Sequence, residues 1–197
     1  MYIPKHFEVT DKNKVLSFLR KNAFGQLTSI LDGKLFASHI PFLTSTDGSI
    51  LLGHLAKSNP QWGSIENQEV LITFQGSHDY ISPSWYSSPG VPTWSYQTVH
   101  VYGNCTVIHD LKELKNIVDE LTSTYESQFY QPWIPQYDER MLRGIVGIKV
   151  QVTEIQCQFK LNQNCSEADR KEVINQLDAK GSVSLASAMK ENEFNEE

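Results

Sequence analysis

The residues best suited to chemistry lie together in Leu51-Leu52-Gly53-His54-Leu55-Ala56-Lys57-Ser58-Asn59-Pro60-Gln61-Trp62. The apolar run reads as a short strand that enters the first turn of a helix. Asn59 is a good helix N-cap, and Pro60 suits the first helical position, where its missing N–H costs nothing. Backbone N–H groups at a helix start carry partial positive charge. Lys57 adds an ammonium and Ser58 a hydroxyl just ahead of them. Such a group of donors suits a phosphate. The same residues also make an ordinary strand–turn–helix junction, and cap chemistry is commoner than anion binding.

The other reactive side chains narrow the choice. His39, His54 and His100 each fall on an expected strand, and a metal site from three strands is conceivable, but no ligand motif supports one. There is no Gly-x-Ser-x-Gly, no P-loop and no Gly-x-Gly-x-x-Gly, which disfavours a hydrolase or nucleotide kinase of familiar type. No carboxylate pair stands out for acid–base work. Between His78 and Tyr96 lie Pro83, Pro89, Pro92 and the aromatics Tyr80, Trp85, Tyr86, Trp94 and Tyr96. The prolines forbid long regular structure, yet disordered loops are poor in aromatics. The loop is therefore expected to order its rings on the core, on a partner or on a flat ligand. A polar strand exit carries Lys160. An anion-binding junction, a second lysine and an aromatic loop together suit a flat, phosphorylated ligand.

Composition bounds these readings. A chain of 197 residues with 40% apolar and 20% charged residues is one globular domain, or one with an appendage. We divide it as 1–164 and a C-terminal helical extension, 165–197, packed on the same domain. No stretch is long and apolar enough for a membrane span, and the first residues lack the apolar run of a signal peptide. Cys105, Cys157 and Cys165 have neither zinc-site spacing nor an even count. Free thiols in a reducing cytoplasm are the simple expectation. The net charge of −6 argues against a grip on nucleic acid through bulk charge.

The periodicity predicts the elements that must position these groups. A helix is expected over Asp11 to Asn22, then a strand from Ala23 to Leu31. Asp32-Gly33 turns it back along Lys34 to Leu43, with Pro41 marking an edge or a bulge. Asp47-Gly48 leads into a third strand, Ile50 to Leu55, so the three read as an antiparallel meander opening a barrel or sandwich. Gln61 to Asn67 reads as a short helix, and Glu69 to Gln75 and Thr98 to Ile108 as strands. Gly103 marks a bulge or a close approach. Asp110 and Glu113 form a capping box for a long helix bearing Leu114, Ile117, Val118, Leu121 and Tyr125. One helical turn is expected within Asp138 to Arg143. Along Gly144 to Lys160 the apolar phase slips near Thr153-Glu154, as a β-bulge would make it. Ser166 caps a closing helix, Gly181 breaks it, and Ser182 to Lys190 can form another. The tail from Met189 is acidic and expected to fray.

Five segments carry a resemblance: Ser38-His39-Ile40-Pro41-Phe42, Gly53 to Trp62, Tyr80 to Tyr86, Val91-Pro92-Thr93-Trp94-Ser95-Tyr96, and Phe159-Lys160-Leu161-Asn162-Gln163-Asn164. In the same order, from Met1 to about Met189, the chain resembles the PaiB family of FMN-binding negative transcriptional regulators. The resemblance implies a mainly β fold with peripheral helices, the split barrel shared with pyridoxamine-phosphate oxidases and flavin reductases. It also implies a homodimer with FMN in a groove between subunits, promoter DNA as a partner, and no membrane. By position, Ser38, His39, Ile40 and Pro41 resemble one flavin-holding strand. His54, Leu55, Ala56, Lys57, Ser58 and Asn59 resemble the strand–helix junction that takes the phosphate. The strand around His100 resembles one that borders the flavin from the other subunit. Lys160 can supplement the single cation at the junction, and Trp62, Trp85 and Trp94 are candidate groove walls. Two other functions fit the same residues: a small FMN-dependent oxidoreductase, and a structural dimer with a vestigial groove or one that takes haem. Arg170, Lys171 and Lys180 are interspersed with Glu167, Asp169, Glu172 and Asp178, a mixture typical of a solvated face rather than a DNA-reading helix.

Overall fold

The computed structural model describes residues 1–193. A helix, α1 (Lys12–Lys21), leads into β1 (Phe24–Leu31), β2 (Lys34–Pro41), β3 (Leu43–Thr44) and β4 (Ile50–Ala56). Then come β5 (Glu69–Ile81), β6 (Thr93–Ile108), α2 (Leu111–Glu126), α3 (Glu139–Leu142), β7 (Ile145–Lys160), α4 (Glu167–Ala179) and α5 (Val183–Glu193). The seven strands form one sheet in the order β2-β1-β5-β6-β7-β4-β3, so β2 and β3 are its two edges and the sheet does not close. Pro41 ends the edge strand β2, where its missing donor costs no ladder bond.

The chain divides into two compact units, both of which draw on β5, β6 and β7. One comprises Lys12–Phe74 and His100–Ile155. Asp32 and Gly33 both adopt positive φ, 51° and 75°, the paired left-handed turn that matches strand twist and sets the β1–β2 register, Thr28 opposite Ala37. The expected meander is corrected here: β4 pairs antiparallel with β7, His54 opposite Gly147, and not with β2. The two-residue strand β3 and the end of β2 at Pro41 divert the chain before it can return along its neighbour. Leu27, Leu51, Ile72, Phe74, Val101 and Ile148 fill the interior, with Phe42 edge-on to Phe74 at 5.8 Å. Ile108 at the end of β6 and the α2 residues Ile117 and Leu121 pack against the partly buried Leu43 and Leu52. Asp110 caps α2, accepting from the Glu113 N–H at 2.8 Å.

The other unit comprises Met1–Asp11, Gln75–Val99 and the chain from Gln156. Phe159, Leu161, Val173, Ile174, Leu177, Leu185 and Met189 are buried in it. The expected 78–96 loop is shorter than read. β5 continues to Ile81 and β6 begins at Thr93, leaving residues 82–92 with a 3₁₀ turn at Pro83–Trp85. Asn162 links the segments, accepting from Ser95 Oγ at 2.7 Å and donating to the Tyr86 hydroxyl at 2.9 Å. In β7 the burial phase shifts across exposed Thr153 and Glu154, as the sequence predicts. α5 continues through Glu193 with Met189 buried, so fraying does not begin at Met189; residues 194–197 lie outside the described residues.

Candidate functional site

The edge strand β2 and the strand β4 approach without pairing. A side chain at Gly53 would meet the Pro41 carbonyl oxygen at 3.0 Å and Ile40 Cδ1 at 3.2 Å, so glycine permits the closeness. At this split the two segments expected from sequence come together. Asn59 Nδ2 donates to Ser38 Oγ at 2.8 Å, joining the loop after β4 to the middle of β2.

The loop itself differs from the expected helix start. Residues Pro60–Gly63 form a single 3₁₀ turn. The Asn59 side chain caps it, accepting from the Gln61 N–H at 2.9 Å. The Asn59 N–H is taken by the Ala56 carbonyl at 2.9 Å and the Lys57 N–H by Gly144 at 2.8 Å. Most amides expected to face an anion are therefore already bonded, and a four-residue turn has little dipole. What remains open is the side-chain pair. Lys57 and Ser58 are exposed, and the Lys57 ammonium makes no ion pair among the described residues.

Gln61 holds this loop in place, a role the sequence did not disclose. Its side chain is fully buried, and Nε2 lies 2.9 Å from Ser29 Oγ, 3.1 Å from the Leu27 carbonyl and 3.3 Å from that of Phe36. Trp62 braces the same loop and is half-buried. Its Nε1–H donates to the Lys57 carbonyl at 2.9 Å, and its ring stands edge-on to His109.

The remaining residues are distributed unevenly. Leu55 is a core residue at 2% exposure, and Ile40 is buried too, so these two can offer a ligand only backbone. Ala56 is exposed, and His39 stacks on exposed Phe24 at 6.2 Å. Pro41 and His54 line a pocket of about 400 Å³ with α2, α3 and Ile145. His54 Nδ1 is buried without a partner, and burial lowers the ring's pKa below the ordinary histidine value. His100 shows the same pattern, an orphaned Nδ1 and a pKa lowered by burial. No group of three metal-ligating side chains gathers among the described residues. Lys160 belongs to the other unit, where its ammonium donates to Thr93 Oγ1. There too, Trp85 lies under the Lys180 ammonium at 5.5 Å, and Trp94 is half exposed against His78 and Tyr80.

The open sheet thus brings β2 beside β4 without pairing them and leaves Lys57 and Ser58 exposed on the loop that Asn59 ties to β2. The family described as "Putative FMN-binding domain" matches residues 1–154, and the chain belongs to that family. FMN is the cofactor this membership assigns. The chain is 42% identical over 188 residues to protease synthase and sporulation protein PAI 2 of Bacillus subtilis, covering 90% of this chain and 89% of the relative. It is 36% identical over 155 residues to an uncharacterized protein of Saccharomyces cerevisiae, covering 65% and 92%. Among solved structures it resembles the flavocytochrome Anf3 from Azotobacter vinelandii, TM-score 0.67 and 13% identity over 86% of this chain and 78% of that one. It also resembles the FAD and heme binding protein from Mycobacterium smegmatis, TM-score 0.64 and 13% identity over 78% and 73%. These last two likenesses are of fold. The residues at the split fit the phosphate of FMN: an exposed ammonium at Lys57 and a hydroxyl at Ser58 suit a dianionic group.

Proposed function

We propose that this protein holds FMN at the split between β2 and β4, with the phosphate on Lys57 and Ser58, and acts as a flavin-bearing regulator. The observation that carries the reading is the unpaired Lys57 ammonium, exposed beside Ser58 on a loop that Asn59 and Gln61 fix to β1 and β2. A loop whose backbone is already anchored binds a phosphate with less ordering cost than a mobile one. FMN when bound supplies redox chemistry. The chain's own residues supply charge at Lys57, a hydroxyl at Ser58 and flanking backbone from Ser38 to Pro41.

The outer face of the β1–β2 hairpin supports a homodimer. Phe24, Ile30 and Leu35 stand 65%, 52% and 79% exposed there. An apolar face on an edge hairpin is a pairing liability for a lone subunit and an interface for two. The regulatory part of the reading draws on the name of the Bacillus relative, which concerns protease synthesis and sporulation. The cations of the closing helices are occupied: Lys171 with Glu167 at 2.5 Å, Lys180 with Asp79 at 2.8 Å and Lys190 with Asp178 at 2.7 Å. That favours control through a partner or a flavin state over a DNA-reading helix; promoter DNA remains the partner to test.

Denaturing the purified protein and weighing the released molecule tests the cofactor. Titration of the apoprotein with FMN tests the residues. Lys57→Ala is expected to weaken FMN roughly 10- to 100-fold, the loss of one charge-assisted contact of about 1.5–3 kcal/mol, with thermal stability unchanged. Equal affinity of the variant and the native protein would overturn the phosphate site. Bleaching of the flavin with turnover by reduced nicotinamide would replace the regulator with an oxidoreductase, and salt-dependent retention of a promoter fragment would show direct DNA binding.

A further inference from the structure

The pocket beside His54 has a chemistry of its own. Its walls include His54 from β4, Val118, Thr122 and Tyr125 from α2, and Tyr137 and Met141 beyond it. No lysine, arginine, aspartate or glutamate lines it, so a charged ligand would lose its hydration without repayment. Its polar groups are few. Thr122 Oγ1 and the Tyr137 hydroxyl are already bonded to each other at 2.6 Å. His54 Nδ1 is sealed in protein, so Nε2 is the ring nitrogen left to meet a ligand. At about 400 Å³ the volume exceeds the roughly 150 Å³ that takes a single benzene ring, and it suits a molecule of two rings.

We propose that this pocket binds a second, neutral aromatic ligand of the phenol class, one or two rings in size, whose hydroxyl bonds His54 Nε2. Its position next to the cofactor rests on the placement of the FMN phosphate at Lys57 and Ser58. The pyrimidine edge of a flavin needs several hydrogen-bond partners at once, and this lining offers few, His54 Nε2 and the Tyr125 hydroxyl besides the bonded Thr122–Tyr137 pair, whereas a phenol needs only one. Tyr137 closes the pocket from the segment between α2 and α3, and the Thr122–Tyr137 bond latches that segment to α2. Met141 on α3 is 56% exposed and can be enlarged without disturbing the core.

The test is calorimetric titration of the FMN-loaded protein and the apoprotein with 1-naphthol, with 1-naphthoate as the charged comparison. 1-Naphthol is expected to bind both forms, and naphthoate at least about tenfold more weakly. Val118→Phe, which fills the pocket from α2, is expected to weaken 1-naphthol by tenfold or more while FMN affinity stays unchanged. Met141→Trp gives the same readout at an exposed position should Val118→Phe not fold. Absence of 1-naphthol binding to either native form overturns the proposal. So does binding to the apoprotein that FMN abolishes in direct competition, since the pocket would then be the seat of the flavin ring. Failure of the Lys57 site alone would show instead as FMN affinity indifferent to Lys57→Ala with 1-naphthol binding intact.

Discussion

Asp169 shows how much one buried side chain can organise. Its carboxylate accepts from the Ser87 N–H and hydroxyl, both at 2.8 Å, and from Ser166 Oγ at 2.8 Å, tying residues 87–88 to the start of α4. These donors, the Ser87 backbone first, hold its pKa below the usual aspartate value. A lowered folded-state pKa adds stability above the unfolded value, near about 4, and that stability drains as pH falls through the folded value. Urea midpoints measured downward from about pH 5 should therefore fall for the native protein. Asp169→Asn should be less stable at neutral pH and show a shallower acid limb. Equal slopes would remove Asp169 from the account. Gln61 acts the same way at the split. Gln61→Leu should cost about 1–3 kcal/mol, because Ser29 and two strand carbonyls lose a buried donor, and it should loosen FMN by freeing the loop. An urea midpoint and an FMN titration check the two effects separately.

At the scale of elements, the glycines and caps set what can be changed. A Cβ at Gly103 would lie 2.6 Å from Val150 Cγ1 and closer still to the Gln151 carbonyl oxygen, where β6 crosses β7. Backbone cannot retreat as a flexible side chain can, so Gly103→Ala is expected to cost at least about 1–3 kcal/mol in a denaturant melt. Asp110→Ala should cost α2 about 1 kcal/mol through its lost cap, and since α2 forms one wall of the pocket, 1-naphthol should weaken with it. The elements themselves were largely legible. The Asp32-Gly33 turn, the face of α2, the close approach at Gly103 and the phase slip in β7 all follow from local pattern. The helix after Pro60 did not survive, because Gln61 plunges into the core and shortens it to one 3₁₀ turn.

At the scale of the molecule, the exposed hairpin face makes the strongest prediction. Leu35→Glu places a charge directly opposite Ile30 at the turn end of the face that also carries Phe24. Sedimentation should show the native protein as a dimer and the variant shifted toward monomer, with the fold intact because Leu35 is 79% exposed. A native monomer would remove the intersubunit groove from the account. Strand pairing was the least legible feature at this scale. Three strands joined by tight turns read as a meander, yet β4 lies against β7, about a hundred residues away in sequence, Leu51 opposite Val150. Local turn chemistry says how a strand ends, and only burial of both faces decides which neighbour it takes.

Residue order alone determined the family and the two segments that meet at the split. Those are matters of side-chain type and short spacing, which turns and caps read directly. Tertiary structure decided which of those groups remain free. Folding spends the amides of residues 59 and 61 on the loop itself and that of residue 57 on Gly144, puts Leu55 and Ile40 in the interior, and leaves Lys57 and Ser58 open. It also raised α2, Tyr137 and α3 over His54 to make a pocket that no motif announces. A hydrogen bond can be made only once, and an enclosed volume exists only between elements distant in sequence, so neither can be counted before the chain is packed.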